Sequence, residues 1–135
     1  VAASPERVWE VLEDAHHMPR WWPGITRMEG VQGDRFTQVF TTKRGRPVRV
    51  DFRVVESTAP CLRAWEQELA GTPFARVLNE SIVEVRLESV PGGTEITIEL
   101  RQKLRGYSRT GGLMLRRATA AKLDEALGGL EQICD

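Results

Sequence analysis

His16 and His17 stand side by side and are the only histidines in the chain. An imidazole is the side chain best suited to general-base chemistry near neutral pH. Flanked by two short helical stretches, however, this pair reads as exposed and mobile rather than as a base held against a substrate. A metal cage would need more ligands. Cys61 and Cys134 are the only cysteines, they form no Cys-x-x-Cys pair, and two histidines do not complete a tetrahedral set. In a reducing compartment the two cysteines are not expected to form a disulfide. The chain has no nucleophile elbow, phosphate-cradling glycine loop or carboxylate pair, and Asp51, Glu66 and Glu68 fall on outward strand positions. No catalytic residue, metal ligand or cofactor is therefore assigned.

The residues that point inward are neutral. Alternation from Val83 and Val85 turns Asn79 and Ser81 toward the interior, and alternation from Ile98 and Leu100 does the same for Gln102. Gln67 joins them. Buried polar groups without partners cost roughly 1–3 kcal/mol each, so several facing one interior suggest a solvated or ligand-filled cavity. The competing reading is a β-bulge that shifts register and exposes them. Trp65 lies mid-strand on the inward face with Arg63, Gln67 and Leu69, and serves equally as a stacking platform for a ligand or as a packed core side chain. Trp21 and Trp22 either rim a tunnel mouth or divide the work, one in the core and one over the helix-to-strand turn. The candidate ligand-binding set is Trp22, Phe52, Trp65, Gln67, Phe74, Asn79, Ile98, Gln102 and Met114.

These positions depend on a simple order of elements. Ser4 is a good N-cap, Pro5 suits the first helical position and Glu6 complements the helix dipole. Val8, Trp9 and Leu12 then share one helical face. Asp14 is placed to cap a second short helix through His16, His17 and Met18, which Pro19 limits. Trp21-Trp22-Pro23-Gly24 turns the chain into a sheet. Strands are expected over 25–31, 35–43, 47–56, 62–69, 74–88 and 94–104. The third alternates cleanly, with Val48, Val50, Phe52 and Val54 on one face. Short turns between sequential strands favour an antiparallel meander. A closing helix is expected from about Thr110 to Ile133. Gly128-Gly129 inside it costs roughly 1 kcal/mol per glycine relative to alanine, which a kink or a close backbone approach would explain.

Strand remnant, Ser-Pro-Glu-Arg-Val-Trp-Glu-Val-Leu-Glu-Asp, Trp-Trp-Pro-Gly, a six-strand meander and a long last helix together resemble the START/Bet v1-like superfamily. Within it the chain is most similar to the polyketide cyclase/dehydrase and lipid-transport branch. The resemblance spans essentially the whole chain, with Ser4–Asp14 and Trp21–Gly24 carrying most of it. It implies an α+β helix-grip fold: a curved antiparallel sheet wrapped around a long C-terminal helix, with two short N-terminal helices and a hydrophobic tunnel between. Members of the superfamily bind lipids, polyketides, sterols, quinones or plant-hormone-like molecules. Some catalyse aldol cyclisation or dehydration, and others activate chaperone ATPases or associate with ribosomes. There is no universal catalytic motif to carry over. The usual first strand is reduced here to Val1-Ala2-Ala3.

At 135 residues the chain reads as one domain, 1–135, with a core of its own. Its composition, 41% hydrophobic and 28% charged, is that of an ordinary soluble domain, and no apolar run nears the about 20 residues of a membrane span. The start at Val1 without Met suggests a trimmed or incomplete N-terminus. With no visible signal peptide, the expected location is cytoplasmic. Charge is balanced overall, 19 basic against 19 acidic residues, but Arg101 to Lys122 holds seven basic side chains and no acidic one. Three readings follow. The leading one is binding or carriage of a hydrophobic small molecule. The second is a polyketide cyclase/dehydrase-type enzyme in which Arg63, Tyr107 or a histidine shuttles a proton. The third is a macromolecular partner protein that sets the basic 101–122 surface against nucleic acid or an anionic membrane.

Overall fold

The Ser4 hydroxyl accepts a hydrogen bond from the Arg7 amide at 3.3 Å, with Pro5 in the first turn behind it. This cap starts α1 (Pro5–Glu13), which buries Val8, Trp9, Val11 and Leu12. Asp14 ends α1 and caps a 3₁₀ turn (Ala15–His17), its side chain accepting from the His16 amide. α2 (Met18–Trp21) follows directly. Pro19 thus sits in the first turn of a helix rather than ending one. A proline is tolerated there because its missing N–H would have no intrahelical partner anyway. These elements belong to a computed structural model that describes residues 1–105 and 123–134.

Six strands follow: β1 (Ile25–Gln32), β2 (Arg35–Thr41), β3 (Pro47–Thr58), β4 (Leu62–Gln67), β5 (Leu78–Val90) and β6 (Gly93–Leu104). They form one sheet in the order β1-β2-β3-β4-β5-β6, every neighbouring pair antiparallel. This is the expected meander with several boundaries corrected, β2 ending at Thr41, β3 running on to Thr58 and β5 to Val90. β4 stops at Gln67. β5 begins at Leu78, and the stretch read as its start is a 3₁₀ turn over Pro73–Arg76, because Pro73 favours a turn and Phe74 and Val77 remain exposed. Register shifts fall between Ile25 and Arg27, Glu29 and Gln32, Val54 and Glu56, and Leu78 and Glu80. Each bends its strand and strengthens the local twist, so the sheet curves.

The concave face carries the core. Phe36, Phe52, Trp65, Val83, Val85 and Ile98 pack with Val8, Val11 and Leu12 of α1, with Met18 and Trp21 of α2, and with Ala126 and Leu130 of the C-terminal helix. That helix spans 123–134 of the described residues; the part expected from Thr110 to Lys122 lies outside them. It runs unbroken through Gly128 and Gly129. A Cβ on Gly129 would meet the Trp21 carbonyl oxygen at 2.5 Å, whereas one on Gly128 would meet nothing within 4 Å. Close backbone approach, not a kink, is what Gly129 serves. At the far edge of the sheet, the Val1 amine donates to the Thr94 carbonyl and the Thr94 amide donates back to the Val1 carbonyl, both at 2.9 Å. Val1–Ala3 therefore covers the start of β6. No helix among the described residues is long and apolar enough to cross a membrane.

Candidate ligand cavity

Between the concave face and the C-terminal helix lies a cavity of about 470 Å³, within the size range of small-molecule sites. Its walls follow from strand alternation. β2 contributes Gln38 and Phe40, β3 contributes Val48, Val50 and Phe52, and β4 contributes Gln67. Leu78, Ser81 and Val83 come from β5, Leu100 and Gln102 from β6, and Leu123 from the C-terminal helix. Trp22, Thr41, Thr42 and Phe74 complete it, and the exposure of Thr41, Thr42 and Phe74 marks the mouth.

None of the described lining residues is ionisable. The polar ones are glutamine, serine and threonine. Gln38 is 2% exposed and its amide nitrogen reaches the Met18 sulfur at 3.3 Å. The Gln102 amide donates to the Ser81 hydroxyl at 3.3 Å. The surrounding wall is aliphatic and aromatic, so the interior suits an uncharged, largely apolar occupant.

Five of the candidate binding residues line this cavity: Trp22, Phe52, Gln67, Phe74 and Gln102. Trp65 points inward as expected but is 1% exposed and walled off by other rings. It sits edge-on to Trp21, Trp22 and Phe36 at centroid distances of 6.2, 6.4 and 6.3 Å, which makes it a core residue behind the wall. Ile98 likewise packs in the core, opposite Val85. Asn79 is exposed. The register shift between Leu78 and Glu80 turns Leu78 and Ser81 inward and Asn79 outward, toward Arg105. Met114 lies outside the described residues.

Trp21 and Trp22 divide the work. Trp21 is 3% exposed in the core, and Trp22 stands in the cavity wall. Gln38 escaped the sequence reading, although Phe36, Gln38 and Phe40 alternate on β2 and place it inward by the same rule that found Gln102.

Of the groups considered for proton transfer, the two histidines and Arg63 lie elsewhere. His16 bonds through Nδ1 to Asp14 at 2.8 Å on the exposed helical turn, and neither histidine lines the cavity. The His16 amide, and then its ring, holds the Asp14 carboxyl below the ordinary aspartate range. Arg63 is a clip between helix and sheet. Its guanidinium donates to the Ser57 hydroxyl at 2.9 Å and to the Glu13 carbonyl at 3.2 Å, and lies 6.0 Å from the centre of the Trp9 ring. Burial lowers its pKa. Tyr107 is outside the described residues. Of the basic run, Arg101, Lys103 and Arg105 are described and exposed on or just after β6, with Lys103 paired to Glu80 at 3.7 Å.

The sequence model of the family described as polyketide cyclase/dehydrase and lipid transport matches residues 1–135. An uncharacterised protein of Mycobacterium tuberculosis is 26% identical over 146 residues, covering 100% of this chain and 80% of its own length. Among solved structures, the di-domain ARO/CYC StfQ from the steffimycin biosynthetic pathway superposes with a TM-score of 0.77 at 15% identity. The alignment covers 99% of this chain and 47% of that one, so this chain spans about half the length of StfQ. A START superfamily protein from Mycobacterium smegmatis gives a TM-score of 0.76 at 14% identity, covering 99% of this chain and 91% of that one. At such identities the likeness establishes the fold.

Proposed function

The chain belongs to the polyketide cyclase/dehydrase and lipid-transport family, and from that premise we propose that it binds and carries a hydrophobic small molecule in the cavity between sheet and C-terminal helix, without transforming it. The observation that carries this reading is the character of the wall. About 470 Å³ is enclosed by aromatic and aliphatic side chains with a few neutral polar groups among the described residues. Apolar surface of this kind favours an apolar guest by roughly 25 cal/mol per Å² removed from water. The aromatic faces of Trp22, Phe52 and Phe74 add directional contact. Turnover would need in addition a proton-transfer group within hydrogen-bond reach of the guest. The imidazole pair and Arg63 are engaged with Asp14, Glu13, Ser57 and Trp9 instead.

Native mass spectrometry of the purified protein, followed by titration with aromatic polyketides, fatty acids and quinones, tests this reading. The expected result is a one-to-one complex whose guest is recovered with unchanged mass after incubation. Recovery of a cyclised or dehydrated product at catalytic turnover would replace it with the cyclase/dehydrase alternative.

A further inference from the structure

Three carboxamides face one interior: Gln38 on β2, Gln67 on β4 and Gln102 on β6. Their situations differ. Gln102 donates one N–H to the Ser81 hydroxyl. Gln38 reaches the Met18 sulfur, a weak acceptor. The Gln67 side chain forms no hydrogen bond with any described residue.

The sheet explains why. Pairing of β4 with β5 ends at Glu66 opposite Ile82. Beyond that point β4 stays with β3, through Phe52 opposite Gln67 and the Glu68 amide donating to the Asp51 carbonyl at 2.8 Å. β5 stays with β6, through Ser81 opposite Gln102. Gln67 is therefore the last residue of its strand, at the place where two halves of the sheet part, and the Ser81 hydroxyl that would be its nearest match across the gap is engaged with Gln102. A partly buried carboxamide with two donors and an acceptor, facing a cavity, is an unfilled polar position in a mostly apolar wall.

We infer that Gln67 is the specificity-determining residue of this cavity: its carboxamide seats the carbonyl group of an uncharged apolar ligand, and the described wall offers no countercharge to the ionised carboxylate of the same skeleton. This rests on the reading of the cavity as a small-molecule site. The selectivity has two physical sources. A guest without a hydrogen-bonding group leaves the carboxamide unpaired once water is displaced, and such a mismatch is discriminated against more strongly than a mere change of apolar volume. A carboxylate must shed its hydration, and no described lining residue carries a positive charge to offset that loss. A glutamine also offers no net charge, so it distinguishes a carbonyl from a carboxylate where an arginine would favour the latter.

Isothermal titration calorimetry with three guests of one skeleton tests the inference: a methylnaphthoquinone, methylnaphthalene and naphthoate, the last ionised at about pH 7. Wild-type protein is expected to bind the quinone roughly three- to tenfold more tightly than the hydrocarbon, the factor one ordinary hydrogen bond supplies, with naphthoate weakest. Gln67→Leu and the volume-conserving Gln67→Met are expected to abolish the preference for quinone over hydrocarbon, with hydrocarbon affinity rising because no carboxamide is left unpaired. Circular dichroism establishes that each variant is folded, and either variant alone suffices. Naphthoate binding as tightly as the quinone overturns the charge selectivity. An unchanged quinone-to-hydrocarbon ratio in the folded variants overturns the role of Gln67. In both cases binding of the hydrocarbon leaves the cavity reading standing. If none of the three guests binds the folded wild type, the cavity reading fails and this inference falls with it.

Discussion

The backbone of Trp21 presses against Gly129: a methyl group on that glycine would meet the Trp21 carbonyl oxygen at 2.5 Å and its Cα at 2.8 Å. Both contacts are with backbone, which cannot swing aside as a side-chain end can. The two glycines of the C-terminal helix thus differ sharply. Gly129→Ala is expected to destabilise the protein by about 1–3 kcal/mol through overpacking. Gly128→Ala, facing open space, is expected to stabilise it by roughly 0.5–1 kcal/mol through helix propensity. Urea unfolding of both variants beside wild type measures this, and equal effects at the two positions would contradict the geometry.

Trp65 and Trp22 separate stability from recognition. Trp65→Ala should cost about 3–5 kcal/mol of folding stability, the range for truncating a buried large aromatic, because its ring is enclosed by Trp21, Trp22 and Phe36. Trp22→Ala should cost less stability but weaken binding of a methylnaphthoquinone by about tenfold, since a face of the cavity is removed. Denaturant midpoints and calorimetric affinities for the two variants decide the matter.

Arg63 ties β4 to the end of α1. Its two hydrogen bonds, one to the Glu13 carbonyl and one to the Ser57 hydroxyl, depend on a planar fork that lysine lacks. Both Arg63→Ala and Arg63→Lys are therefore expected to lower stability by about 1–3 kcal/mol, with ligand affinity unchanged. Loss of binding in a folded Arg63→Lys variant would instead assign this residue to the cavity.

Asp14 makes stability pH-dependent. Its carboxyl is held below the ordinary aspartate range by the His16 amide and then by the His16 ring. A depressed carboxyl contributes stability above its unfolded pKa, near 3.9, and loses it as pH falls through the lower folded value. The stability gap between wild type and Asp14→Ala should therefore be full at about pH 6–7 and narrow steadily below about pH 4. Thermal melts across that interval check it. A gap that widens in acid would show that the shift has the opposite sign.

Much of the fold was legible because local chemistry and global architecture agree. Ser4 caps where its hydroxyl predicts, and Val48, Val50, Phe52 and Val54 alternate on β3 as a half-buried strand requires. The misread stretch is 74–77. Phe74 and Val77 look like strand residues, yet both are exposed, and nothing local distinguishes an apolar residue at a mouth from one in a ladder. Asn79 shows a second limit. One additional residue reverses every later side chain, so alternation is reliable only up to a bulge that leaves no trace in composition.

The site was legible to a smaller degree for a different reason. Strand phase tells which side chains point inward, and Trp65, Gln67 and Ile98 all do. Whether an inward residue meets a neighbour or a void depends on where α1, α2 and the C-terminal helix rest, and that is a property of distant residues such as Ala126 and Leu130. Gly129 carries the same lesson. Its cost to the helix was visible in the sequence, but the Trp21 carbonyl that explains it was not.

Trp21, Trp22 and Trp65 lie within 6.4 Å of one another, centroid to centroid. At such separations excitation migrates among indoles before it is emitted. The trio is expected to act as one chromophore whose half-buried member Trp22 alone lines the cavity. A quenching guest that touches Trp22 alone would therefore dim the light of all three. The fourth tryptophan, Trp9, donates to Glu13 beneath Arg63 and forms no ring contact with the trio among the described residues. Indole emission is therefore expected to report a guest that reaches Trp22, with no label attached.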